Sequence, residues 1–126
     1  MDVDLDLSDG IARIRLDDGK KNAITPDAAA AISTALDEAE SKADGIVLAG
    51  RPGSFCAGFD LATMTSGDVD AIRTLGSAGA RIALRLYRCP KPLLAACTGH
   101  AFTIGALWLL ASDTRIGEEG PYKFSM

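Results

Sequence analysis

The chain has 126 residues, 48% of them hydrophobic and 24% charged, with a formal net charge of −4. That length fits one domain or part of one, and the composition is globular rather than disordered. The negative balance argues against nucleic acid or an anionic membrane surface as partner, yet leaves room for an anionic small ligand held by a few N–H groups and lysines.

In chain order, Val3, Leu5 and Leu7 alternate with Asp2, Asp4 and Asp6, which predicts a strand with one wet face. Asp9-Gly10 is a hairpin signal, and Ile11 to Leu16 reads as the returning strand. A polar loop, Asp17 to Asn22, follows. Thr25 is a helix cap with Pro26 at the first position and Asp27 near the positive end, and Ala28, Ile32, Ala35, Leu36 and Ala39 form an apolar stripe of helical period. Ile46 to Ala49 is a short buried strand, and Arg51 to Ser54 a loop. Ser66 to Arg88 reads as a helix with Val69, Ile72, Leu75, Ile82 and Leu86 inward and a break near Gly76 and Gly79. Cys89 to Pro92 stops it, Leu93 to Cys97 is a third buried strand, and Thr103 to Ser112 an all-apolar helix. Thr114 to Ile116 returns to extended structure. Alternating helices and strands after a hairpin predict an α/β fold whose later strands are parallel and buried on both faces.

Two segments stand out, Ser54 to Leu61 and Thr98 to Gly105. Each follows an apolar run and reads as a strand-to-helix turn with unpaired backbone N–H groups. Two such turns can aim two donors at one point and hold an oxyanion. Neither carries an obvious nucleophile or metal cluster.

Other chemistry-bearing residues read more simply as structure. His100, the only histidine, lies three residues after Cys97, but a turn histidine satisfied by backbone outweighs a Cys–His nucleophile. Cys56 is read as a tightly packed small residue, and the three cysteines as reduced thiols of a cytosolic protein. Asp60 is read as a turn anchor, Glu118 and Glu119 as a wet turn, and Trp108 and Leu107 as core. Asp2, Asp4 and Asp6 are a solvated strand face, not a calcium loop. The apolar run from Ala101 to Ala111 is 11 residues long, well short of the roughly 20 that span a bilayer.

Lys20-Lys21-Asn22-Ala23-Ile24, then Ile46 to Gly50 leading into Phe55-Cys56-Ala57-Gly58-Phe59-Asp60-Leu61, then Lys91 to Ala96 with Thr98-Gly99-His100-Ala101, and finally Ala111 to Ile116, occur in an order that resembles the crotonase superfamily of enoyl-CoA hydratases and isomerases. The resemblance covers nearly the whole chain. It implies an α/β, crotonase-like ββα spiral core over residues 1–126, similar to the N-terminal half of a family member and cut before the C-terminal helices that complete the site and the trimer.

The resemblance also implies an enzyme. Phe59 falls at the first backbone oxyanion donor and Ile104 at the second, where the family often has glycine. Lys20, Lys21 and the backbone around Ala23, Ala57 and Leu61 fall where the family holds the CoA nucleotide, with Gly58 and Leu107 also on the substrate. Leu107 stands where a hydratase usually has a catalytic glutamate, so isomerase-like chemistry is expected over hydration. The remaining acid is expected beyond Met126. The substrate is expected to be an acyl-CoA thioester, with no metal, no separate cofactor, no nucleic acid and no membrane, in a cytoplasmic homotrimer or dimer of trimers. The other reading is a crotonase-like CoA-binding or scaffold protein without catalysis.

Overall fold

A computed structural model describes residues 1–126 in full. The hairpin forms as β1 (Asp2–Ser8) and β2 (Ile11–Asp17), paired antiparallel with Asp4 opposite Arg15 and Asp6 opposite Arg13. Those opposite charges lie 3.6 and 3.8 Å apart on the exposed face. After the two-residue β3 (Ala23–Ile24) comes α1 (Pro26–Lys42). Thr25 Oγ1 caps α1 by accepting the Ala28 N–H at 3.1 Å, and the expected alanine-rich stripe is buried.

β4 (Gly45–Ala49) pairs in parallel with β2, and β7 (Leu93–Cys97) with β4. β9 (Thr114–Gly117) closes a five-stranded sheet in the order β1-β2-β4-β7-β9. The inner strands bury Ile14, Ile46, Leu48, Leu93 and Ala95 against the helices.

A second layer was not legible as strands in the sequence. The segment read as a loop and turn forms β5 (Gly53–Cys56) and β6 (Gly58–Phe59), and the turn after β7 forms β8 (Gly99–Phe102). β5 and β8 are parallel neighbours, with β10 (Phe124–Ser125) added beside β8, while β6 pairs with β3. These runs are two to four residues long, too short for a period-two pattern to show. Each spiral turn therefore contributes a strand to the large sheet, then a short strand to one or both of two smaller sheets, β10-β8-β5 and β3-β6, then a helix. The folded chain is an α/β spiral of ββα units, as the resemblance implies.

After β6 come α2 (Leu61–Met64) and α3 (Val69–Tyr87), and α3 packs against α1 and α4. α3 passes unbroken through Gly76 and Gly79, contrary to the expected break, because Leu75, Ile82 and Leu86 keep its inner face buried. Val69, expected to point inward, is 63% exposed at the helix start. α4 (Ile104–Ala111) buries Trp108 completely, but Leu107 and Leu110 are exposed, so Leu107 is not the core residue expected from hydrophobicity alone. An apolar groove of about 430 Å³ lies beside this open face, between Leu110, Ile116, Phe124 and Met126. No helix is long and apolar enough to cross a membrane.

Candidate active site

The two turns singled out in the sequence are in contact. Gly58 packs against the Thr103 side chain so closely that a Cβ there would collide with it. A Cβ on Gly105 would lie 2.7 Å from Cys56 O and Cβ. A Cβ on Gly79 would lie 2.6 Å from the Phe59 ring and 3.0 Å from Ile104 Cγ1. Absent side chains thus let α3, β6 and the start of α4 approach at backbone distance. Trp108 braces the junction from below, its Nε1–H donating to Gly79 O at 3.1 Å.

Three of the amides flanking the candidate donors are engaged. Gly58 N–H donates to Cys56 Sγ at 3.4 Å, Asp60 N–H to Ile24 O at 2.9 Å, and Thr103 N–H to Ser125 O at 2.7 Å. The Phe59 and Ile104 N–H groups take no part in the turn, loop and cap hydrogen bonds that fix these segments. Ile104 opens an eight-residue helix, so its N–H belongs to the positive, unpaired end. Thr103 reaches that helix through an unusual backbone, φ 48° and ψ −113°, without a side-chain cap. Strain of this kind costs of order 1–3 kcal/mol and clusters at functional sites.

A cavity of about 600 Å³ opens beside the first turn. Of the expected residues, Lys20, Lys21, Ala23, Ala57, Phe59 and Leu61 line it. Gly58 lies behind the wall, buried against Thr103, and Leu107 sits one turn along α4 from Ile104, 39% exposed. Ile104 itself is only 4% exposed. The apolar groove at the far end of α4 shares no residue with this cavity.

Asp18 and Arg51 also line the cavity, and the sequence reading gave neither a role. Asn22, a loop residue by sequence, organises the wall. It is fully buried at φ 61° and donates through Nδ2 to Leu16 O at 2.8 Å and Phe55 O at 3.1 Å. Its Oδ1 accepts the Asp18 N–H at 3.0 Å. The Asp18 carboxylate takes the N–H groups of Lys20 at 2.7 Å and Ala23 at 3.0 Å. Partial burial disfavours that charge, but the surrounding backbone N–H groups outweigh it and hold the Asp18 carboxyl below its ordinary range. The Gly19 N–H, then the Arg51 guanidinium, do the same for Asp17. The signal that was available is an asparagine in a loop between charged residues and an apolar pair, a residue type that tolerates the left-handed region.

The remaining sequence readings resolve structurally. Asp60 Oδ2 accepts from Thr63 N at 3.1 Å and Thr63 Oγ1 at 2.9 Å, so it anchors α2. His100 Nδ1 accepts the Lys123 N–H at 3.0 Å, and its ring stacks on Phe102. Burial pushes the Cys56 thiol up to about 12, which leaves it protonated and packed at neutral pH. Burial also raises Cys97, whose thiol donates to Gly99 O at 3.1 Å. No cluster of metal-ligating side chains forms.

The ββα spiral and its two apposed strand-to-helix turns define the class of fold, and comparison with known proteins narrows it. The enoyl-CoA hydratase/isomerase family pattern matches residues 6–126. The chain belongs to that family. It is 32% identical to a probable enoyl-CoA hydratase of Rhodobacter capsulatus, over 90% of this chain and 45% of the relative. A solved enoyl-CoA hydratase/isomerase family protein from Pseudomonas syringae is 40% identical, with a TM-score of 0.92 over 97% of this chain and 53% of its own. A solved enoyl-CoA isomerase of Mycobacterium tuberculosis is 38% identical, with a TM-score of 0.85 over 90% of this chain and 49% of its own. The chain spans about half the length of the relatives it matches.

Proposed function

We propose that the protein binds an acyl-CoA thioester and stabilises its enolate with the Phe59 and Ile104 N–H groups, shifting a double bond along the acyl chain rather than adding water. The observation that carries this reading is the contact between the donor turns, Gly58 on Thr103 and Gly105 on Cys56. A thioester oxygen that accepts both N–H groups draws electrons from the α-carbon. Each donor contributes about 3–4 kcal/mol to the transition state. In isomerisation a base removes an α-proton, the electron pair spreads onto the thioester oxygen, and the proton returns at the γ-carbon. The atoms balance without water. CoA enters as part of the substrate, its nucleotide half along Lys20 to Ala23 and Ala57 to Leu61, and the scheme uses no metal or separate cofactor.

Leu107 supports isomerisation. Hydration needs water held and activated at the β-carbon, and two carboxylates divide that work with protonation of the α-carbon. A leucine can do neither and dries its surroundings. The M. tuberculosis neighbour bears the name of an isomerase in one solved structure and of a probable enoyl-CoA hydratase in another. The second reading, CoA binding without turnover, rests on Asp60, whose carboxylate is committed to Thr63 instead of a proton transfer.

Calorimetry of the intact protein with CoA, acetyl-CoA and a medium-chain enoyl-CoA is expected to show binding. No heat with any of them removes the proposal. Crotonyl-CoA hydration, followed by loss of enoyl thioester absorbance, is expected to be weak or absent, and isomerisation of a 3-enoyl-CoA measurable. Hydration at roughly 10 per second or more would show that Leu107 does not keep water out. Binding without either reaction selects the non-catalytic reading. Leu107→Glu is expected to raise hydration where a second acid is present. We read the intact protein as a cytoplasmic trimer or dimer of trimers, which light scattering and fractionation would test.

A further inference from the structure

Arg51 occupies a position that the donor turns do not account for. Its backbone is locked in the connection between β4 and β5, where Arg51 N–H donates to Ser54 O and Ser54 N–H to Arg51 O, both at 3.1 Å. Its side chain then crosses to the other wall of the cavity. Nε–H donates to Asp17 Oδ1 at 2.9 Å, and Nη1–H to Lys20 O at 2.5 Å. The guanidinium is 29% exposed and lines the same cavity as Lys20, Lys21 and Ala57.

These contacts fix the guanidinium plane without exhausting it, since the Nη2 donors make no hydrogen bond within the chain. The carboxylates around it are committed. Asp17 takes Arg51 and the Gly19 N–H, Asp18 the Lys20 and Ala23 N–H groups, and Asp60 takes Thr63. Lys20 and Lys21 make no ion pair. The rim therefore offers two mobile ammonium groups and one preorganised guanidinium. An immobilised planar fork matches phosphate oxygens at low entropic cost, whereas a lysine is a flexible point charge.

We propose that Arg51 is a specificity-determining residue that recognises the phosphate-bearing half of the thioester substrate and makes the site discriminate CoA from phosphate-free thiols. This rests on the acyl-CoA reading above. The same guanidinium ties the Lys20 loop to the β4–β5 connection, so one residue sets both the phosphate contact and the shape of that wall.

The test compares CoA with pantetheine by calorimetry on intact wild type, Arg51→Met and Arg51→Lys, with thermal midpoints recorded for each. Arg51→Met, which keeps the apolar stem, is expected to weaken CoA about tenfold or more while pantetheine changes by less than about twofold. Arg51→Lys is expected to recover part of the CoA affinity. Should Arg51→Met fail to fold, Arg51→Lys carries the comparison, with an expected loss for CoA alone. Parallel losses for both ligands would reduce Arg51 to a wall-shaping residue and overturn the proposal, as would unchanged CoA affinity. Wild type that binds neither ligand would overturn the acyl-CoA reading and this inference with it. Wild type that binds CoA beside an indifferent Arg51→Met would overturn the inference alone.

Discussion

The two candidate donor turns are held in place by different means. The first, Gly53 to Asp60, is held by polar bonds from a loop more than thirty residues away in sequence. Asn22 donates to Phe55 O, Ser54 Oγ donates to Lys21 O, and Ala57 N–H to Lys21 O and Asn22 O. The second, Gly99 to Ile104, is held by packing and backbone strain. Thr103 sits at positive φ with no cap, Gly105 lies on Cys56, and Trp108 fills the space beneath. A turn can thus be fixed by hydrogen bonds from a distant loop, or by wedging a short helix against apolar surface. The first device fails when a partner is removed, and the second when volume is removed.

Trp108→Ala breaks the packed turn and carries the largest expected effect. The side chain is fully buried, and truncation is expected to cost about 3–5 kcal/mol in chemical denaturation. A loss below about 1 kcal/mol would mean that the second turn does not depend on the volume beneath it.

Asn22→Ala breaks the polar turn. It strips donors from Leu16 O and Phe55 O and the acceptor from Asp18 N–H, and each stranded buried group costs about 1–3 kcal/mol. A total of about 2–4 kcal/mol is expected. Asn22→Gly sharpens the comparison, because glycine adopts φ 61° freely. If glycine restores most of the stability, backbone conformation rather than hydrogen bonding holds the first turn.

Thr103→Gly acts in the opposite direction. It relieves a strain of order 1–3 kcal/mol against the entropy that glycine adds to the unfolded chain, for a net gain of about 1 kcal/mol. A rise of a few degrees in thermal midpoint is expected. A fall would assign the Thr103 side chain a stabilising contact across Gly58.

At neutral pH the smallest effect belongs to Cys56, which packs against Gly105 of the second turn and whose ionisation acts only in alkali. Its thiol ionises near 9 in the unfolded chain and at about 12 in the fold. The raised folded value means that this stabilisation is complete below pH 9 and is lost as pH rises toward 12. Cys56→Ala is expected to flatten the stability profile in that window relative to wild type. Identical slopes in both would show that the thiol ionises as easily folded as unfolded.

Much of this molecule was legible in one dimension. The hairpin, the capped α1 with its alanine stripe, the buried β4 and β7 and the apolar α4 all follow from local period and capping chemistry, which a few neighbouring residues settle. The positions of Lys20, Lys21, Ala23, Ala57, Phe59 and Leu61 around one cavity were expected from the family resemblance, and the folded chain gathers them there. Tertiary structure alone decided the small sheets, because β5, β6 and β8 are too short to show a period and exist through pairing with distant strands. It alone kept α3 whole at Gly79, where the Trp108 bond and the approach of Phe59 and Ile104 outweigh glycine's weak helix propensity. It also turned Asn22 and Arg51 from loop residues into the pins of the cavity wall. The partners that span the wall, Phe55 for Asn22 and Asp17 and Lys20 for Arg51, lie 31 to 34 residues away, and no local rule of sequence encodes a contact that only chain reversal brings about.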